Sequence, residues 1–213
     1  MSATPDVSDV YDVVVVGGGI VGCAIARTLA GTNLSVTLLE ARDDVGDGTS
    51  KANTALLHTG FDASPGTLES RLVARGYYLL GDYAQQTGIP VERTGAMLVA
   101  WTEEERDALP GLKDKAERNG YHECEIVTAD DVYRRVPDLG PGALAGLTAP
   151  GESIICTWTT NLALATDAVL RGVRLLRGAR VTGAAIGNET HHATHHPRRC
   201  ARPLGRQRRG SGL

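Results

Sequence analysis

DVVVVGGGIVGCAIARTLAGTNLSVTLLE, residues 12–40, decides the fold. Residues 13–16 are a continuous β-branched apolar run, the composition of a strand buried on both faces of a parallel sheet. Gly17, Gly19 and Gly22 follow as G-x-G-x-x-G, with Gly18 loosening the turn further. Each of the three has its own physical task. The first permits a tight turn, the second removes a side chain from the path of a pyrophosphate, and the third lets helix and strand pack closely. The spacing predicts a helix over 20–29. Its first N–H groups, those of Ile20 and Val21 among them, and its positive dipole end serve the two phosphates of a dinucleotide without a basic side chain. Residues 34–39 read as a second buried strand, with Glu40 at its carboxyl end and Ala41 next. A carboxylate about twenty residues past the glycines accepts ribose hydroxyls of an adenosine moiety and repels a 2′-phosphate, which argues against NADP. A chance glycine triplet beside a solvated acid is the plainer reading, but strand, helix, second strand and acid all in register outweigh it. FAD and NAD share the ADP half, so the pattern leaves both open.

Composition sets the outer limits. The chain of 213 residues is 42% apolar, 4% aromatic and carries a net charge of −3. It can bury the core of one large or two small domains, and its charge points away from a nucleic-acid partner. Cys23, Cys124, Cys156 and Cys200 form no C-x-x-C pair. The expectation is reduced thiols in a cytoplasmic protein, with no disulfide frame and no metal site. The segment before Tyr11 is short, polar and acidic, unlike a signal peptide. The apolar run 13–30 holds four glycines and Arg27, and the fingerprint explains it better than a membrane span does.

Beyond Glu40 the motifs become more specific: GTSKANTALLHTGFDASPGTLESRLVARGY at 48–77, TGAMLVAW at 94–101 and GESIICTWTT at 151–160. With the glycine turn, these resemble the D-amino-acid-oxidase-like superfamily of FAD enzymes, and most closely its glycerol-3-phosphate dehydrogenase and L-2-hydroxyglutarate oxidase branch. The resemblance runs along most of residues 12–183. It implies a Rossmann-like FAD-binding α/β domain with an inserted α+β substrate domain, and FAD as the cofactor. It also implies that the loop after the second strand contacts that cofactor, placing Ser50 and Asn53 near the pyrophosphate or ribityl chain and His58 to Gly60 near the flavin ring. The reaction implied is hydride transfer from the hydroxy-bearing carbon of a small acid or phosphate, glycerol 3-phosphate or a 2-hydroxy acid, to flavin. The partners are then a small-molecule substrate and an electron acceptor of unknown identity. No transmembrane segment is expected, and peripheral membrane contact of a full-length parent stays open. An NAD-dependent dehydrogenase, or an inactive truncated product binding at most ADP-like ligands, are the alternatives.

The residues also have readings of their own. Thr49, Ser50 and Asn53 offer short polar groups to phosphate oxygens and are equally good turn formers. His58 suits the base that takes a hydroxyl proton at neutral pH, and a lone His beside Leu56 and Leu57 is also a common hydrogen-bonded structural residue. Residues 65–87 read as a helix with Leu68, Leu72, Leu79, Leu80 and Tyr83 on its core face and Arg71 and Arg75 on another. Residues 94–101 read as a strand whose Trp101 packs inward. Thr102 with Glu105 opens a helix that Pro110 interrupts and Gly120 ends, and Thr128 with Asp131 opens a short one stopped near Pro137. Residues 153–157 read as a strand, Thr160 as the cap of a helix ending at Gly172, and 173–176 and 180–186 as strands.

The expected organisation is an FAD-binding domain over 10–88 and 159–186, a partial substrate domain over 89–158, and an irregular tail over 187–213. That tail holds four of the six histidines and six arginines. Thr194 and Pro197 make the helix needed for a metal site on His191, His192, His195 and His196 doubtful. The composition instead matches a GC-rich gene read out of frame: ARPLGRQRRGSGL, shifted by one base, can be read RGRWVVNAAGLG. On that reading the C-terminal half of the native protein is missing.

Overall fold

The computed structural model describes residues 10–186 and 191–197. The chain divides into two compact units, one formed by residues up to 51 with those from 164 onward, the other by residues 52–163.

In the first unit, β1 (Val13–Val16), β2 (Val36–Leu39) and β9 (Arg174–Leu176) make a parallel sheet in the order β1-β2-β9. Between the first two strands runs α1 (Ile20–Leu29), giving the βαβ crossover that parallel strands require. Every residue of the central strand β2 is buried. The edge strand β1 is not buried on both faces as expected: Val15 is buried, whereas Val14 and Val16 are 39% and 61% exposed. Helix α1 covers one side of it with Cys23 and Ala26, and the described residues leave the other side open. β10 (Ala179–Ile186) pairs antiparallel with β11 (His191–Pro197). The irregular tail is thereby corrected over these seven residues. A hairpin ladder satisfies backbone N–H and C=O groups whatever side chains it carries, so a composition poor in apolar residues does not forbid it. The i, i+4 helical spacing of the four histidines falls away with it. Residues 187–190 and 198–213 lie outside the described residues.

The second unit holds β3 (Leu56–Leu57), α2 (Leu68–Thr87), β4 (Val91–Glu92), β5 (Ala96–Ala100), α3 (Glu103–Arg118), β6 (Glu125–Thr128), α4 (Ala129–Arg135), β7 (Ala145–Ala149) and β8 (Ser153–Ile155). Helix α5 (Thr157–Leu170) begins here and crosses the division after residue 163. Two antiparallel sheets form, β3-β8-β4 and β5-β7-β6. Phe61, Leu109, Ala116, Cys124 and Leu147 centre a core between α3 and the second sheet. The capping boxes at Thr102/Glu105 and Thr128/Asp131 both form.

Several expectations give way to packing. Residues 52–88 belong with the second unit, because β3 pairs with β8 and Gly60 lies against α2 at Ala74. Helix α2 uses only part of the expected face: Tyr83 is buried as expected, and so are Ser70 and Ala84, while Leu68, Leu72 and Leu79 are 61%, 57% and 58% exposed. Pro110 does not interrupt α3, which runs through it. Trp101 lies just past β5 and is exposed rather than packed. Helix α5 starts at Thr157, before Thr160, whose hydroxyl donates back to the Cys156 carbonyl at 2.7 Å instead of capping.

Candidate functional site

The first unit builds a cradle from the glycine turn. Gly17 takes φ 102°, a conformation that L side chains resist, and its N–H donates to the Leu39 carbonyl at 2.7 Å. A Cβ at Gly22 would stand 1.9 Å from the Gly17 carbonyl oxygen, so helix and turn meet only because Gly22 carries no side chain. Gly19 is the N-cap of α1 and offers no side-chain cap. The cap comes from far along the chain, where the Ser50 hydroxyl accepts the Ile20 N–H at 2.9 Å. A Cβ at Gly19 would press on that hydroxyl at 3.1 Å.

Glu40 is buried and fastens the turn. Its Oε2 accepts the Gly18 N–H at 2.7 Å, and its Oε1 accepts the Arg42 N–H at 2.7 Å. Each carboxylate oxygen keeps a second lone pair with which to accept a ribose hydroxyl. Ala41 is half-buried beside it, Val21 is exposed on the first turn of α1, and Thr49 is exposed in the turn before Ser50. A helix N-terminus lined by glycine, with a carboxylate behind it, fits the ADP half of a dinucleotide.

The second unit holds His58. Its Nδ1 lies 2.9 Å from Oε2 of Glu152; the His58 side chain is 45% exposed and that of Glu152 2%. The other carboxylate oxygen, Oε1, accepts both the backbone N–H and the hydroxyl of Thr59, each at 2.7 Å. Asn53 closes a local turn through Oδ1, which accepts the Ala55 N–H at 2.7 Å, and Ala55 itself takes φ 60°. Gly60, at φ 86°, would place a Cβ 3.3 Å from the Ala74 nitrogen. Asn119, at the end of α3, donates through Nδ2 to the carbonyls of Gly60, Phe61 and Ala63 at 3.0, 3.3 and 2.7 Å, holding the loop after His58 in place.

The residue before Glu152 is held as firmly. Tyr77 donates its hydroxyl to the Gly151 carbonyl at 2.9 Å, and the Gly151 N–H donates to the Tyr121 oxygen at 2.7 Å. A Cβ on Gly151 would meet that same Tyr121 oxygen at 2.8 Å. Burial pushes the Tyr121 phenol up to about 12, against the pull of the Gly151 N–H, so it stays neutral.

Residues 12–202 match the family model described as FAD dependent oxidoreductase. The chain belongs to the FAD dependent oxidoreductase family. The family is one of FAD-dependent enzymes, and its cofactor, FAD, displaces the NAD alternative. The chain is 36% identical over 165 residues to the glycerol 3-phosphate dehydrogenase of Caloramator mitchellensis, covering 78% of this chain and 34% of that one. It is 30% identical over 182 residues to the mitochondrial L-2-hydroxyglutarate dehydrogenase of Homo sapiens, covering 84% of this chain and 39% of that one. Among solved structures, dithionite-reduced L-α-glycerophosphate oxidase from Mycoplasma pneumoniae with FAD bound superposes with a TM-score of 0.85 at 28% identity, covering 90% of this chain and 51% of that one. The chain thus spans 34% and 39% of these two curated relatives.

Within this flavoprotein fold, Gly17, Gly19, Ile20, Gly22, Glu40 and Ser50 converge on one turn of the first unit, and His58 and Gly60 lie on one loop of the second. No helix among the described residues is long and apolar enough to cross a membrane. Glu152, Asn119, Tyr77 and Tyr121 escaped the sequence reading. The only local signal for Glu152 was its place after Gly151 in the GES segment.

Proposed function

We propose that this protein oxidises the hydroxy-bearing carbon of a small acid or phosphate, glycerol 3-phosphate or a 2-hydroxy acid, with His58 as the base. FAD, when bound, accepts the hydride from that carbon. The positive end of α1, with its glycine turn free of side chains, would lie against the pyrophosphate, although the Gly17, Gly18 and Ile20 N–H groups are already taken by Leu39, Glu40 and Ser50, and Glu40 would accept a ribose hydroxyl. His58 Nε2 takes the hydroxyl proton as the C–H pair leaves, so that the alcohol becomes a carbonyl and the imidazole becomes imidazolium. The observation that carries this reading is an imidazole presented to solvent with its Nδ1 held by a buried carboxylate, an arrangement suited to moving a proton. The names of the relatives support the substrate class. An electron acceptor completes the cycle as a further partner.

Anaerobic mixing of FAD-loaded protein with glycerol 3-phosphate and with L-2-hydroxyglutarate tests the proposal. Bleaching of the flavin band by one of them is expected. Bound FAD that neither substrate reduces would withdraw the substrate class. Protein that binds ADP but not FAD would favour the inactive, ADP-binding alternative.

A further inference from the structure

We infer that Glu152 is a positioning residue that sets which nitrogen of His58 carries the proton, and so makes Nε2 the basic one. The inference rests on the reading of His58 as the base and goes a step beyond it.

Register brings the pair together. β3 and β8 run antiparallel with Leu56 opposite Ile154 and Leu57 opposite Ser153. The next opposed position on that ladder is His58 with Glu152. Gly151, gripped by Tyr77 and Tyr121, holds the chain at that point.

The chemistry follows from the donor count. Glu152 is 1% exposed, and a carboxylate so deeply buried costs several kcal/mol unless hydrogen bonds compensate it. Two donors meet it on Oε1, the Thr59 N–H and hydroxyl, and His58 Nδ1 lies 2.9 Å from Oε2. A carboxylate oxygen that offers only lone pairs requires a ring nitrogen 2.9 Å away to carry the hydrogen, which leaves the lone pair of the neutral ring on Nε2. The same contact places a negative charge 2.9 Å from the imidazolium that forms when Nε2 takes a proton. A purely structural role, holding the loop through Thr59, requires neither consequence.

Glu152→Gln separates the two roles. The single carbonyl oxygen of glutamine is retained by the two Thr59 donors, which turns the amide NH₂ toward His58. Nδ1 must then accept, and the proton moves to Nε2. Long-range ¹⁵N–¹H correlation spectra of the histidine-labelled full chain read the tautomer directly, with no turnover needed. Wild type should be predominantly Nδ1–H, and Glu152→Gln should shift the ratio by roughly a hundredfold toward Nε2–H, since one tautomer loses a hydrogen bond and the other gains one. Thr59→Val, which keeps the backbone donor, should leave the ratio as in wild type. In the FAD-loaded enzyme Glu152→Gln should lower kcat with little change in KM. An unchanged tautomer in Glu152→Gln overturns the inference. So does a wild-type ring that is mainly Nε2–H, a measurement that needs no variant to fold. If Glu152 controls the tautomer but His58→Ala reduces flavin at the normal rate, the base assignment fails while the Glu152 control stands.

Discussion

The glycine turn of the first unit and the His58 loop of the second are both held by buried carboxylates, and they differ in what those carboxylates join. Glu40 sits at the end of β2 and accepts the Gly18 N–H, linking residues 22 positions apart within one βαβ crossover. Glu152 accepts from Thr59 across 93 positions and reaches His58 only because β3 and β8 pair. A carboxylate that serves a local turn leaves a spacing in the sequence. One that serves a strand register leaves none.

The comparison would break most sharply at Gly22. A methyl group there lies 1.9 Å from backbone that cannot swing away, so Gly22→Ala should cost about 3 kcal/mol and empty the FAD site. Flavin content and Tm of the purified variant measure it, and wild-type values in both would mean that the turn is far more pliant than its geometry implies. Gly19→Val should likewise abolish FAD binding, with a smaller loss of stability, since its side chain meets the Ser50 hydroxyl rather than backbone.

His58→Ala should act on chemistry and leave the fold alone. Flavin reduction slows by roughly a hundredfold or more while FAD stays bound, measured by stopped flow. Reduction at the normal rate would return His58 to a structural role.

Gly151 sharpens the second half of the comparison. Gly151→Ala should destabilise by about 1–3 kcal/mol, because its Cβ would meet the Tyr121 oxygen at 2.8 Å. The double variant with Tyr121→Phe should recover part of that loss. Strict additivity in denaturant unfolding would show that the two positions do not press on each other.

The smallest effect is expected at Asp167, which joins α5 to α1 in the first unit. The hydrogen bond from Arg171, followed by that from Arg27, holds its carboxyl below the usual 3.8 despite partial burial. A lowered folded-state pKa means that the contribution is present above 3.8 and lost as pH falls through the folded value. Asp167→Asn should therefore cost about 1 kcal/mol or less at neutral pH, with the gap to wild type closing in acid. A gap that persists at the lowest pH would place the effect in packing rather than charge.

The glycine turn was legible in advance because each of its demands is a demand on residue type: no side chain at Gly22, positive φ at Gly17, an acid after the second strand. Helix caps were equally legible, since Thr102/Glu105 and Thr128/Asp131 satisfy their own termini. The inward face of α2 was not. The expected stripe ran through Leu68, Leu72, Leu79, Leu80 and Tyr83, but only Tyr83 of these is buried, together with Ser70 and Ala84, while Leu68, Leu72 and Leu79 stay exposed. Hydrophobic periodicity names a candidate face, and the neighbour decides which face is used.

What the chain determined by itself was the glycine turn with its carboxylate and the capping boxes at Thr102 and Thr128, because these depend on backbone sterics and on side-chain chemistry within a few residues. Which strand lies at an edge, which loop holds His58 and which carboxylate orients it were decided only by tertiary structure. Strand register joins positions far apart in sequence, and burial then sets the cost of leaving any one of their hydrogen bonds unmade.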